Sequence, residues 1–166
     1  MRAGIALGSN VGDRLRNLQR ARDRVCALQG AREPILQSPV YETAPLGCEA
    51  GAEDFYNAVV QIGFEDSADV LLHGLQEIEQ ALGRERDHAR SVSRTIDLDL
   101  LYFGDEVRDD AVLQLPQPRM RDREFVLRPL AEIAPDLRLP GETASVRELL
   151  ARIPAGGAVK CVTTTW

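Results

Sequence analysis

Cysteine and histidine are scarce in this chain of 166 residues, which contains three cysteines and two histidines. The cysteines are widely separated and form no Cys-x-x-Cys pair, so their spacing does not favour a zinc site. Sparse, unpaired cysteine is typical of a reducing compartment, and we expect a cytoplasmic location.

Long apolar runs and an excess of positive charge are also missing. The first apolar run, Ala3 to Leu7, is too short for a signal peptide, and no run approaches membrane-spanning length. The net charge of −6 argues against binding to nucleic acid or to a membrane surface. With 44% hydrophobic and 28% charged residues, the composition predicts one globular domain, residues 1–166, which we expect to be a monomer.

The most informative stretch is residues 94–103, which is rich in β-branched and aromatic residues and ends at Gly104. This composition predicts a strand. Alternation along a strand places Asp97 and Asp99 on one face, with Cα atoms roughly 6.5–7 Å apart. It places the apolar residues on the other face, namely Ile96, Leu98, Leu100 and Tyr102.

Two neighbouring carboxylates repel each other unless a cation lies between them. Mg²⁺ is a suitable cation, because it is often bound by one or two carboxylates plus substrate phosphates. The same spacing also fits a solvated strand face with two surface acids. Four arginines at 84, 86, 90 and 94 precede this strand and favour a phosphate-binding arm over a merely solvated loop.

The element order predicted along the chain is strand, helix, strand, strand, helix, strand. This order is typical of a ferredoxin-like βαββαβ core, an α+β fold with helices on one face of an antiparallel sheet and, here, a C-terminal hairpin and short helices. The predicted strands besides residues 94–103 are Ala3–Leu7, Ile35–Thr43 and Phe55–Phe64. The first predicted helix covers 13–29 with Asp13 as N-cap, and the second runs from Ser67 or Asp66 to Gly83. A polar hairpin to about Leu115, a helix capped by Asp122 and ended by Pro135, and a capping box at Ser145 complete the chain.

Two polar residues stand out within these elements. Asn57 interrupts an apolar strand, and its amide needs partners that are either backbone groups or a polar ligand. Glu79 lies near the end of the second helix, where the helix dipole disfavours an acid unless a cation faces it.

At this point the sequence resembles the 6-hydroxymethyl-7,8-dihydropterin pyrophosphokinase family of folate biosynthesis. The resemblance rests on segments in family order from near the N-terminus to about Pro140: Ala6–Asn10, Tyr41–Gly47, Phe55–Val59, Ile78–Arg84, Arg94–Leu100 and Arg123–Leu130. It implies an enzyme that transfers the terminal pyrophosphoryl group of ATP, its co-substrate, to the pterin hydroxymethyl oxygen and releases AMP.

The resemblance also implies roles for particular residues. Asp97 and Asp99 would bind two Mg²⁺ and, with Arg84 and Arg94, form the catalytic set. The ATP-binding set would be Gln76, Glu79, Arg84, Arg94, Gln117 and Arg123. The pterin-binding set would be Thr43, Pro45, Leu46, Phe55, Asn57 and Phe125, with the two phenylalanines stacked on the ring. Taken singly, each phenylalanine also fits an ordinary core position.

The chain departs from the family at two places. Ser91-Val92-Ser93 replaces the usual Trp-Gly-Pro before Arg94, so a large apolar contact over the pterin is lost. Gln117 replaces a usual His, and an amide can donate to a phosphate but cannot carry charge. These departures predict retained metal and nucleotide binding with weaker loop closure.

Two other functions compete with the active enzyme. One is a non-catalytic relative that binds nucleotide or pterin with an altered loop, and it predicts binding without AMP release. The other is an unrelated ferredoxin-like regulatory domain, and it predicts that Asp97→Asn leaves ligand affinity unchanged.

Overall fold

The computed structural model describes residues 1–44, 53–83, 95–154 and 159–166. Its strands and helices follow in the order β1 (Arg2–Ser9), α1 (Arg14–Cys26), β2 (Ala31–Gln37), β3 (Val40–Thr43), β4 (Phe55–Phe64), α2 (Ala68–Ala81), β5 (Asp97–Phe103), β6 (Arg108–Asp109), β7 (Gln114–Leu115), α3 (Glu124–Ile133), α4 (Val146–Arg152) and β8 (Lys160–Thr163). A short 3₁₀ turn, Met120–Asp122, precedes α3.

The main sheet has six strands, with β5, β1, β4, β3 and β8 in that order and β2 also paired with β4. Every pairing among these strands is antiparallel. The predicted ferredoxin-like α+β fold is therefore confirmed, including the β6–β7 hairpin and the C-terminal helices.

Two hydrophobic layers enclose the sheet. On one face, α1 and α2 pack on a core that includes Leu18, Leu75 and Val60. On the other face, α3 and α4 pack on a second core that includes Val59 and Leu127. The expectation of helices on one face is therefore incomplete, because the C-terminal helices cover the second face.

The predicted strand over Ile35–Thr43 is divided into β2 and β3 at Ser38 and Pro39. Both pieces pair with β4, and Pro39 has no N–H to continue the ladder. Ser38 restores the pairing, because its N–H donates to the Val59 carbonyl and its Oγ accepts from the Val59 N–H, both at 2.9 Å.

The prediction that Tyr102 shares a face with Leu98 and Leu100 is wrong. The pairing of β1 with β5 shifts between Gly4 and Ile5, so Gly4 opposes Tyr102 whereas Ile5 opposes Leu100. This bulge moves Tyr102 to the second core, where its ring covers Gly4 and its hydroxyl donates to Gln61 Oε1 at 2.7 Å.

The helix ends agree with the sequence in most places. Asp13 and Ser67 accept hydrogen bonds from N–H groups of the first turns, and Ser145 forms the predicted capping box. Asp122 is not the cap of α3, because Asp122 lies in the 3₁₀ turn and Arg123 is the N-cap residue without a side-chain cap. Helix α1 ends at Cys26 rather than near residue 29.

Strand β8 was not predicted from the sequence. It pairs with β3 far from it along the chain, and Trp166 follows it and donates from Nε1 to the Ser38 carbonyl at 2.7 Å. No helix in the described ranges is long and apolar enough to cross a membrane.

Candidate active site

Asp97 and Asp99 lie side by side at the start of β5, on the sheet face that also carries α3. Directly opposite them on β1 are Gly8 and Ala6, respectively. Both aspartates are partly exposed, and the small residues beside them leave the space above the strand open. The predicted shared face is confirmed for this pair.

A row of three residues crosses the sheet from Asp97 through Gly8 to Asn57. Gly8 pairs with Asp97 on one side and with Asn57 on the other, so the side chains of the outer two point to the same face. Two strand spacings separate the outer residues by about 10 Å at Cα. A methyl group on Gly8 would lie 3.4 Å from Asn57 Oδ1 and 3.8 Å from Phe55 Cδ1. Because Gly8 has no side chain, it leaves the floor of the site, the sheet surface between the Asp97 carboxylate and the Asn57 amide, uncovered.

Asn57 is 7% exposed and donates from Nδ2 to Thr43 Oγ1 at 2.8 Å. The partner is a side-chain hydroxyl on β3 and therefore neither of the two that the sequence suggested, a backbone group or a polar ligand. The hydrogen bond also fixes the plane of the amide, so that Asn57 Oδ1 faces the space above Gly8.

Phe55 and Phe125 reach the same face from two different elements. Phe55 is the first residue of β4 and lies two residues from Asn57, whereas Phe125 lies in the first turn of α3 and packs on the second core. Both rings are partly exposed, which is uncommon for residues that serve only as core.

Positive charge approaches the aspartates from the start of α3. Arg123 Nη1 lies 3.9 Å from Asp99 Oδ2, and its guanidinium carbon lies 5.5 Å from the centre of the Phe125 ring. The separation from Asp99 is too long for a strong ion pair, so Arg123 has room to engage another anion.

Helix α2 contributes to the site from the opposite side of β5. Glu79 is 5% exposed, and its Oε1 accepts a hydrogen bond of 2.8 Å from the backbone N–H of Leu98. Gln76 is exposed one turn earlier on the same helix. The sequence indicated that this helix position is unfavourable for Glu79 unless a cation faces it, and the structure shows a backbone donor that the sequence did not indicate.

Gln117 follows the cis Leu115–Pro116 peptide and lies beside β5, because its N–H donates to the Leu101 carbonyl at 2.8 Å. Leu101 is two residues beyond Asp99. The side-chain Oε1 of Gln117 is buried and has no hydrogen-bond partner among the described residues. Because Oε1 is an acceptor, a partner for it has to be a donor, such as a water molecule or a ligand N–H group.

Several predicted site residues fall in ranges that the structure does not describe. Residues 45–52 include Pro45 and Leu46, and residues 84–94 include Arg84, Arg94 and the departure at Ser91-Val92-Ser93. Their predicted roles stay predictions. The described members of the catalytic and pterin sets, by contrast, lie on one face at one end of the sheet.

The position of Gly8 beside Asn57 was missed from the sequence, which predicted that the first strand ends at Leu7. A glycine at the end of a buried strand is the available signal, since it marks a place where a ligand or backbone comes close.

The carboxylate oxygens of Asp97 and Asp99 suit a cation that also binds a substrate. Across the described ranges, no group of three or more His, Cys, Asp or Glu side chains is arranged to hold a metal ion. Two carboxylates alone make a weak protein site, but they match Mg²⁺ that takes its other ligands from phosphates and water.

Comparison with known proteins gives consistent results. Residues 4–135 match the family described as 7,8-dihydro-6-hydroxymethylpterin-pyrophosphokinase (HPPK). The chain is 43% identical over 157 residues to the 2-amino-4-hydroxy-6-hydroxymethyldihydropteridine pyrophosphokinase of Methylorubrum extorquens, covering 94% of this chain and 96% of that protein. It is 41% identical over 156 residues to the protein of the same name from Pseudomonas aeruginosa, covering 94% of each.

A similar fold occurs in the crystal structure of wild-type Plasmodium falciparum HPPK-DHPS with pteroate, with a TM-score of 0.69 and 14% identity. The match covers 90% of this chain and 42% of that one, so the chain spans less than half of that longer protein. At this identity the likeness supports the fold alone.

Proposed function

The chain belongs to the 7,8-dihydro-6-hydroxymethylpterin-pyrophosphokinase family, and from this premise we propose that it pyrophosphorylates 6-hydroxymethyl-7,8-dihydropterin in folate biosynthesis. The hydroxymethyl oxygen forms a bond to the β-phosphorus of ATP. The bond from that phosphorus to the oxygen shared with the α-phosphate breaks, AMP leaves, and the hydroxyl proton passes to water.

The observation that carries this proposal is the row Asp97, Gly8, Asn57 across three adjacent strands. It offers carboxylates suited to a phosphate-bound cation at one end and an amide suited to a polar heterocycle at the other. The two ends of the row are about 10 Å apart at Cα, so one ligand that contacts both would extend along the row over Gly8. An unrelated regulatory domain does not account for this row or for the family match.

On the phosphate side, Asp97 and Asp99 would hold two Mg²⁺. Bound there, the metal ions would neutralise phosphate charge and lower the repulsion that the incoming hydroxyl meets. Arg123 is close enough to Asp99 to reach the same phosphates, and Gln117 offers amide hydrogens from the side of Leu101. Arg84, Arg94, Gln76 and Glu79 complete the proposed nucleotide site.

On the pterin side, Asn57 would read the polar edge of the ring, and its bond to Thr43 would hold the amide in one orientation. Phe55 and Phe125 would cover the two ring faces by offset stacking. Backbone groups near Pro45 and Leu46 would complete the recognition. Positioning of this kind is the main requirement for phosphoryl transfer, which needs little covalent help from the protein.

The test is AMP formation from ATP by the purified chain, with and without Mg²⁺ and the hydroxymethyl pterin. We expect AMP only when all three are present. Calorimetric titration with a non-hydrolysable ATP analogue and Mg²⁺ provides the second arm. Analogue binding without AMP release would select the non-catalytic alternative, in which the substitution at Ser91-Val92-Ser93 prevents closure of the loop over the pterin. Absence of both signals would reject the proposal.

A further inference from the structure

Arg14, at the start of α1, joins three segments of the chain that meet behind the proposed pterin site. Its Nη1 donates to Glu42 Oε1 on β3 at 3.1 Å and to the backbone carbonyl of Asp54 at 2.6 Å. Its guanidinium carbon also lies 3.9 Å from the centre of the Tyr56 ring on β4. No role in the reaction follows from the sequence motifs for this residue.

The contacts of Arg14 lie on the back of the sheet. Glu42 and Tyr56 form a directly opposed pair on β3 and β4, and Tyr56 packs on the core under α1 and α2. The next pair along, Thr43 with Phe55, points to the opposite face, where Asn57 lies. Arg14 therefore contacts two side chains and one backbone carbonyl directly behind the residues that are proposed to bind the pterin.

A second hydrogen bond, from the turn after β1, attaches the segment that precedes β4. Asn10, which is 1% exposed, donates from Nδ2 to the Glu53 carbonyl at 3.5 Å. Asn17 on α1 in turn donates to Ser9 Oγ at 3.2 Å and to the Val11 carbonyl at 2.9 Å, which ties that turn to the helix. Residues 53 and 54, which lead directly into Phe55, are thus attached to the body of the protein.

An ordinary surface ion pair would contribute little to this attachment. The ion pair of Arg14 with Glu42 differs from an ordinary one because both side chains are largely buried, at 22% and 28% exposure. Arg14 also contacts a backbone carbonyl and an aromatic ring. Desolvation strengthens both the charge-assisted hydrogen bonds and the cation–π contact. The pair Arg32–Glu65, at 54% and 60% exposure, shows the contrast.

We propose that Arg14 is a positioning residue for pterin binding, which acts by fixing the ends of β3 and β4 that carry Thr43 and Phe55. This inference rests on the proposed function. Because these contacts of Arg14 are to β3, to Asp54 and to β4, whereas Asp97 and Asp99 lie on β5, its loss affects the pterin side and leaves the nucleotide site intact.

The test compares Arg14→Ala and Arg14→Lys with the matched control Arg32→Ala, which also removes an arginine ion pair. For Arg14→Ala we expect the KM for the pterin to rise about tenfold while the KM for ATP changes by less than about twofold. Arg14→Lys keeps the charge but not the planar fork, so we expect an intermediate value. Arg32→Ala should leave both KM values unchanged.

Backbone hydrogen exchange gives a readout that does not depend on activity. Exchange in the Phe55–Ala58 segment should speed up in Arg14→Ala and stay as in wild type in Arg32→Ala, with β1 unchanged in both. Equal changes in both KM values, or unaltered exchange in Phe55–Ala58, would overturn the inference. If wild type makes no AMP, the proposed function fails, and the exchange result alone decides whether Arg14 positions the strands.

Discussion

The buried carboxylate of Glu79 accepts a hydrogen bond of 2.8 Å from the backbone N–H of Leu98, which stands between the two aspartates of β5. Strand β5 is at the end of the strand order, with β1 on its other side, so none of the strands that the structure describes receives this N–H. The Glu79 side chain from α2 thus accepts the hydrogen bond that an outer strand would otherwise accept. It fixes the backbone of β5, from which Asp97 and Asp99 project.

Replacing Glu79 with alanine should destabilise the protein and weaken nucleotide binding together. A buried N–H left without a partner costs about 1–3 kcal/mol, and β5 would be free to shift. Glu79→Gln keeps an acceptor and should recover most of the stability. Urea unfolding, followed by the fluorescence of Trp166, measures this, with the exposed neighbour Glu77→Ala as control. Equal stability of Glu79→Ala and Glu77→Ala would contradict the role of the bond.

Alanine at Gly8 and alanine at Gly4 should have opposite consequences. At Gly8 the new methyl group has only ordinary contacts, so we expect a folded protein with pterin affinity reduced about tenfold or more, because the floor beside Asn57 is filled. At Gly4 the methyl group would overlap the Tyr102 ring, which should cost about 1–3 kcal/mol of stability. Thermal unfolding and pterin titration of the two variants distinguish these effects. Unchanged pterin affinity in Gly8→Ala would be contrary to the proposed site.

Replacing Gln117 with leucine should trade function for stability. The buried Oε1 lacks a partner among the described residues, so its removal is expected to leave stability equal or higher by about 1 kcal/mol. Loss of the amide hydrogens should weaken binding of a non-hydrolysable ATP analogue. The control is Gln114→Leu, because Gln114 is exposed on β7 and bonds Asp109 instead. A fall in stability with unchanged nucleotide affinity would show that Gln117 is structural.

Tyr41 links β3 to α3, and we expect its contribution to the free energy of unfolding to fall at alkaline pH. Burial, followed by the hydrogen bond that its hydroxyl donates to Glu132 at 3.1 Å, raises the pKa of Tyr41 from 10.0 to about 12. The folded state therefore favours the protonated phenol, and this stabilisation is complete below pH 10 and is lost as the pH rises towards about 12.

The expected result is that the stability advantage of wild type over Tyr41→Phe, which is present near neutral pH, shrinks above about pH 10. Unfolding midpoints in urea across this pH range provide the measurement. Glu132→Gln keeps an acceptor without the charge, so the pKa of Tyr41 should rise less, and the loss should be smaller and be complete at a lower pH. An advantage that stays constant up to about pH 12 would mean that the phenol is not perturbed.

Local patterns in the sequence predicted much of the fold. Strand β4 has the predicted limits, Phe55–Phe64, because its apolar and aromatic residues are bounded by acidic residues at both ends. The caps at Asp13, Ser67 and Ser145 were predicted because capping depends on residues only three positions apart.

Features that depend on distant partners were not predictable in this way. The face of Tyr102 changes because β1 and β5 pair with a bulge beside Gly4, which alternation within β5 cannot reveal. Strand β8 exists through its pairing with β3, and its short sequence carries no pattern of its own. The Leu98 bond of Glu79 and the three contacts of Arg14 likewise arise from tertiary packing. Asp97, Asp99, Asn57 and Glu79 stood out in the sequence itself, and the resemblance added the other site residues, whereas nothing in the sequence indicated these supporting contacts.

The most direct test of the account is the rate of AMP release as a function of Mg²⁺ concentration for wild type, Asp97→Asn and the control Asp105→Asn. Asn keeps the size of the side chain but removes the charge that a cation needs. We expect wild type and Asp105→Asn to give the same Mg²⁺-dependent rate, and Asp97→Asn to lose at least about 100-fold. Undiminished AMP release by Asp97→Asn at all Mg²⁺ concentrations would contradict the claim that these carboxylates hold the metal.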